Sequence, residues 1–111
     1  MGESVRSRIF RDGLLAGKVV VISGAGSGLG RETALEMVRL GANVVGCGRR
    51  TEPLEETREL AAKLPGTFEH HSLDIRDDGL VDGFFDQVME SHGRIDTLVN
   101  NAGGQLLSPA E

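Results

Sequence analysis

Tyrosine and tryptophan are absent from the 111 residues, and cysteine occurs once, at Cys47. A lone cysteine excludes an internal disulfide framework, so a reducing compartment is the default reading. No apolar run approaches the roughly 20 residues of a bilayer-spanning helix, and the start, MGESVRSRIF, lacks the apolar core of a secretory leader. These absences predict no membrane partner and a cytoplasmic location. Basic residues become scarce beyond residue 50. Up to that point 8 Lys and Arg face 4 Asp and Glu, net +4; after it 4 face 13, net -9, which together give the overall -5. The acidic second half would repel a nucleic-acid backbone, so nucleic acid is excluded as a partner. The basic first half suits a small anion.

What is abundant is glycine, 16 residues, about twice the usual share. Seven of them lie between Gly24 and Gly48. With 39% hydrophobic and 26% charged residues the chain has globular proportions, and its length fits one domain or less. Residues 1–16 are polar, basic and weakly periodic, and read as an extension packed loosely or not at all. KVVVIS, from Lys18, is too short for a helix and dense in β-branched residues, as in a strand buried on both faces. After GAGSGLG, residues Gly30, Ala34, Met37, Val38 and Gly41 fall at helical spacing.

The strand-helix pattern repeats twice more before a last strand. Asn43 to Gly48 reads as a second strand, followed by a helix that Thr51 caps and in which Leu54, Leu60, Ala61 and Leu64 bury. Phe68 to Ile75 reads as a third strand. Asp77 caps the next helix, whose stripe is Val81, Phe84, Phe85, Val88 and Met89, with His92 and Gly93 at its end. Thr97 to Asn100 reads as a fourth strand. Strands alternating with helices at this spacing predict parallel strands joined by right-handed crossovers, hence an open α/β sheet of the Rossmann type. Residues 17–111 would form the N-terminal portion of such a doubly wound domain, with four strands in the order 3-2-1-4.

The chemistry begins where the first strand ends. A phosphate needs outward-pointing backbone N–H groups, no obstructing side chains and the positive end of a helix dipole, which a glycine turn entering a helix supplies. The strict dinucleotide spacing fails, because the last position counted from Gly24 is Leu29, and a P-loop fails for want of Gly-Lys-Ser/Thr. What fits is Ser23 followed by Gly24, Gly28 and Gly30. Beside that turn, at the end of the second strand, NAD-binding domains carry a carboxylate for the ribose 2′-hydroxyl. This chain has Arg49 and Arg50 there, two guanidiniums suited to a 2′-phosphate. NADP is therefore favoured over NAD, and S-adenosylmethionine, which also uses a carboxylate at that place, is disfavoured.

SGAGSGLG (Ser23 to Gly30), LDI (Leu73 to Ile75) and NNAG (Asn100 to Gly103) resemble the short-chain dehydrogenase/reductase family, in this order and with family-like spacing. The resemblance implies that Gly24, Ser27, Gly28, Leu29 and Gly30 wrap a pyrophosphate and that Arg49 and Arg50 take the 2′-phosphate. It implies also that Asp74 and Ile75 border the adenine, and that Asn101, Ala102 and Gly103 line the adenosine and ribose. NADP-preferring members often carry Lys or Arg where this chain has Ser27. GLLAGK (Gly13 to Lys18) and NNAGGQLLSPAE (Asn100 to Glu111) look like the branch of peroxisomal trans-2-enoyl-CoA reductases and related bacterial reductases. That implies reduction of an enoyl or keto group on a small-molecule substrate such as an acyl-CoA, and a homo-oligomer when complete.

In the resembled family a Tyr acts as general acid or base, with a Lys four residues on and a Ser orienting the substrate. No Tyr is available here, so no catalytic residue is assigned, and the sequence reads as the cofactor-binding front half of a reductase. A peroxisomal address at a C-terminus would lie beyond Glu111. The alternative is a dinucleotide-binding fragment without catalysis. Without further strands the outer edge of the fourth, around Leu98 and Val99, would be left unpaired, so marginal stability or aggregation is expected. The remaining candidates have plainer readings. His70 and His71 face opposite ways on a strand without a third ligand, so no metal site is expected. Cys47 reads as a buried apolar residue, and Asp77, Asp78, Asp82 and Asp86 as caps and a wet helix face.

Overall fold

The computed structural model describes residues 13–101. Seven elements alternate along it: β1 (Val19–Ser23), α1 (Gly28–Arg39), β2 (Asn43–Gly48), α2 (Thr51–Ala61), β3 (Thr67–Ser72), α3 (Asp78–His92) and β4 (Thr97–Asn100). The strands form one parallel sheet in the order β3-β2-β1-β4. This is the Rossmann-type order expected from the alternation of short β-branched runs with helical patterns.

All five residues of β1 are buried, as a central strand covered on both faces requires. Alternate residues divide between two layers. Val20, Ile22 and Val44 join Ala34, Val38, Leu54 and Ala61 beneath α1 and α2, whereas Val19, Val21, Val45 and Cys47 join Phe84 and Val88 beneath α3. Each fully buried aliphatic side chain contributes about 1.5–3 kcal/mol, so the sheet and its helices stabilise one another. Leu15, just before β1, packs against the first layer, and its N–H donates to the Leu40 carbonyl at 2.9 Å. Residues 1–12 of the N-terminal extension lie outside the described residues.

Four local expectations are corrected. The third strand ends at Ser72 instead of Ile75, because its last inter-strand bond is Leu73 N–H to the Gly48 carbonyl, 2.7 Å, after which the Asp74 carbonyl accepts from Asp77 and the chain turns. Thr51 does not cap its helix: it is the first helical residue, Arg50 occupies the cap position, and no side chain accepts there. Leu60 is 56% exposed, because the buried stripe of α2 runs Leu54, Thr57, Ala61 and Leu60 lies about 100° round the helix from Ala61. On α3, Phe84 and Val88 are buried while Met89 is 47% exposed. Asp77 caps that helix, accepting from Leu80 N–H, and Gly93 closes it in the left-handed region.

At the β3 edge, Glu69 bridges His71 (2.9 Å) and His92 (3.0 Å), joining strand to helix. Partial burial would raise the Glu69 carboxyl, but the hydrogen bonds from His71 and His92 outweigh it and hold it below its ordinary value. Among the described residues no three His, Cys, Asp or Glu side chains are grouped to hold a metal ion, and no helix is long and apolar enough to cross a membrane. Cys47 is 2% exposed, and burial pushes its thiol up to about 11. The folded protein is therefore expected to resist iodoacetamide at neutral pH and to be alkylated as fast as a free cysteine once denatured. Rapid alkylation of the folded protein, read by mass spectrometry, would show that this core opens readily.

Candidate functional site

β1, β2 and β4 end level with one another. Ser23 pairs in register with Cys47 on one side and Asn100 on the other, so the segments that follow gather at one end of the sheet. The chain order reverses between β1 and β4, and the crevice beyond such a switch point is where open α/β sheets bind ligands.

The glycine turn is shaped by contacts that a side chain would destroy. Gly24 has φ +71 and Gly28 φ +56, both in the left-handed region. Gly24 N–H donates to the Cys47 carbonyl at 2.8 Å, fastening the turn to the end of β2. A Cβ on Gly30 would lie 1.8 Å from the Gly24 carbonyl oxygen, so this helix enters close against the turn only because position 30 is glycine. In front of Gly28 the space is open. Helix α1 starts there with Ser27 at its cap position, no side-chain cap and no acidic residue in its first turn. Its first N–H groups and its dipole are therefore uncompensated by any neighbouring side chain.

Gly24, Gly26, Ser27, Gly48, Arg49, Arg50, Pro53 and Leu54 line an open cleft of about 230 Å³. No carboxylate is among these residues. Arg49 and Arg50 are exposed, and neither guanidinium is hydrogen-bonded or ion-paired among the described residues. The Arg49 carbonyl accepts from Ser72 Oγ at 3.0 Å, which holds its backbone to the end of β3. The remaining expected positions do not line this cleft, and Ser23 and Ile75 face a separate recess. Leu29 is 68% exposed beside the turn. Ser23 is buried, and its hydroxyl donates to Asn100 Oδ1 at 2.7 Å and accepts from Asn101 N–H at 3.1 Å, clasping β4 to β1. The Asn101 side-chain nitrogen is buried with no partner among the described residues. Ala102 and Gly103 lie outside the described residues.

Asp74 and Ile75 follow β3. The Arg76 guanidinium donates to both Asp74 oxygens at 3.1 Å, and these bonds, with a smaller pull from Arg49, hold the carboxyl down at about 2. Its contribution is complete above the unfolded value of 3.8 and is lost as pH falls through about 2. A carboxyl NMR titration is expected to place Asp74 near 2 and to return it towards 3.8 in Arg76→Ala. An unchanged midpoint in that variant would contradict the pairing.

Ile75 faces a second, apolar recess of about 210 Å³ between α3 and β4, with Phe84, Phe85 and Leu98 in its wall. The cleft also contains residues not singled out from sequence. Gly26 belonged to the glycine cluster but to no spacing rule that the sequence completes, and Pro53 reaches the cleft only because α2 folds back against the turn. A Cβ on Gly26 would lie 2.8 Å from Pro53 Cβ. The geometry as a whole presents an uncapped helix N-terminus and two free cations within one cleft, a receptor for an anionic ligand with charge at two places.

Comparison with known proteins agrees with this arrangement. Residues 18–111 match the family model of short chain dehydrogenase. A probable 2,4-dienoyl-CoA reductase of Caenorhabditis elegans is 41% identical over 107 residues, covering 95% of this chain and 35% of the relative. Among solved structures, a citronellol catabolism dehydrogenase of Pseudomonas aeruginosa superimposes with TM-score 0.82 at 41% identity, over 89% of this chain and 41% of that one. A metagenomic short-chain oxidoreductase in complex with NADP does so with TM-score 0.78 at 37% identity, over 80% and 40%. The chain thus spans about a third of the length of the curated relatives it matches. By motif, strand order and these likenesses together, the chain belongs to the short-chain dehydrogenase/reductase family.

Proposed function

We propose that this chain is the dinucleotide-binding part of an NADP-dependent reductase that acts on an enoyl or keto group, acyl-CoA substrates included. The observation that carries the reading is the cleft in which an uncapped glycine turn and the unpaired Arg49 and Arg50 stand together without a carboxylate. The N–H groups of Ser27, Gly28, Leu29 and Gly30 would hold the pyrophosphate, with Gly24 shaping the turn and Ser23 steadying it. Arg49 and Arg50 would take the 2′-phosphate. Asp74 and Ile75 would border the adenine, and Asn101, Ala102 and Gly103 the adenosine and ribose. The open space before Gly28 and the orphaned Asn101 nitrogen fit such a ligand. The NADP complex of the metagenomic relative supports this choice of dinucleotide, and the dienoyl-CoA reductase supports the substrate class.

When bound, the dinucleotide supplies hydride transfer. The 111 residues hold no tyrosine, so in this reading proton transfer belongs to residues outside this sequence, in a longer homo-oligomeric product. The same absence favours a second reading, dinucleotide binding without catalysis. Intact mass and turnover of the protein from its native source separate the two. A mass well above 11.8 kDa with NADPH oxidation on an enoyl- or 3-ketoacyl-CoA is expected. A mass of 11.8 kDa with bound dinucleotide and no turnover would leave the second reading.

A further inference from the structure

Thr57 occupies a position that the pattern of α2 reserves for an apolar side chain. It stands between Leu54 and Ala61 on the buried stripe and is 0% exposed. A hydroxyl there costs free energy unless it is hydrogen-bonded, whereas valine would fill the same volume without that demand. Its partners are informative. Thr57 Oγ1 lies 2.9 Å from the Ala25 carbonyl, inside the glycine turn, and 3.2 Å from the Pro53 carbonyl. A hydroxyl has one proton to donate, and the shorter contact is the one to the turn.

The same oxygen accepts from Arg31 Nε at 2.9 Å. Arg31 follows Gly30 in the first turns of α1, and its NH2 group donates to the Pro53 carbonyl and to Glu56 Oε1, each at 3.0 Å. The Glu56 contact is largely exposed and contributes little by itself. Together the bonds tie three things: the glycine turn at Ala25, helix α1 at Arg31, and helix α2 at Pro53 and Thr57. Pro53 also packs against Gly26. Helix α2 begins directly after Arg50, so whatever fixes α2 against the turn fixes the separation between the helix N-terminus and the arginine pair.

We propose that Thr57 and Arg31 are specificity-positioning residues: their clasp sets the distance between the pyrophosphate turn and Arg49–Arg50, and so the preference for a 2′-phosphorylated dinucleotide. This rests on the reading of the cleft as a dinucleotide site. A ligand carrying both a pyrophosphate and a 2′-phosphate has their separation bounded by one ribose, so both must meet their receptors at once. A ligand without the 2′-phosphate has only the turn to satisfy.

The test is equilibrium titration of the soluble protein in its native-source length with NADPH and with NADH, in parallel with thermal melting, for the unmodified protein, Thr57→Val and Thr57→Ser. Loss of one charge-assisted contact corresponds to roughly tenfold in affinity. Thr57→Val is therefore expected to weaken NADPH about tenfold and NADH less than about twofold, and Thr57→Ser, which keeps the hydroxyl, to restore the preference. If Thr57→Val does not fold, Arg31→Met at the partly exposed end of the clasp is expected to give the same asymmetric loss. Equal weakening of both dinucleotides, or of neither, would overturn the positioning role while leaving the dinucleotide site intact. An unmodified protein that binds neither dinucleotide, or both alike, would overturn the underlying reading and the clasp's role with it.

Discussion

Gly30→Ala is expected to abolish detectable dinucleotide binding and to destabilise the protein by about 3 kcal/mol or more, at the upper end of overpacking effects. The added methyl would meet the Gly24 carbonyl oxygen at 1.8 Å and its carbon at 2.7 Å. These are backbone atoms, so no rotamer change relieves the clash. Either α1 tilts away from the sheet, opening the layer that holds Ala34 and Val38, or the turn shifts and loses its bond to Cys47. Both responses displace the helix N-terminus from the cleft. Chemical denaturation reads the first effect and dinucleotide titration the second. A Gly30→Ala protein with unchanged denaturation midpoint and unchanged binding would show that the turn is not held as described.

Arg49→Ala is expected to weaken NADPH by about 30-fold, corresponding to about 2 kcal/mol for a hydrogen bond to a charged group, and to leave NADH within about twofold. The side chain is exposed and its guanidinium makes no hydrogen bond or ion pair among the described residues beyond a minor pull on Asp74, so the melting temperature should barely move. Binding should also fall with added salt, since the contact lies at the surface. Arg50→Ala is expected to act in the same direction. Loss of NADH binding in step with NADPH would assign these arginines to the pyrophosphate or to general structure instead of the 2′-phosphate.

The parts of the fold legible in the sequence are those written in local periodicity and end signals. VVVI, short, β-branched and without a polar residue, reads as a strand covered on both faces; Asp77 and Gly93 mark the ends of α3; and the strand-helix alternation leads to the order β3-β2-β1-β4. The glycine turn and the arginine pair were likewise visible as residue types at element ends. What stayed hidden depends on contacts between distant segments. Nothing near Leu73 announces that its N–H makes the last bond of the ladder, and Leu60 looks as apolar as the residues that bury. The link from Arg31 to Thr57 spans 26 residues and has no sequence periodicity at all. A threonine on an apolar stripe was the only available sign, and its meaning depends on a carbonyl in a turn 32 residues away.

The most direct measurement is a paired equilibrium titration of the soluble, folded protein in its native-source length with NADPH and NADH in one buffer, following ligand fluorescence. A cleft built from an uncapped glycine turn and two free arginines predicts saturable binding of both, with NADPH at least about tenfold tighter, the equivalent of one good phosphate contact. Equal affinities, a preference for NADH, or no binding of either would contradict it.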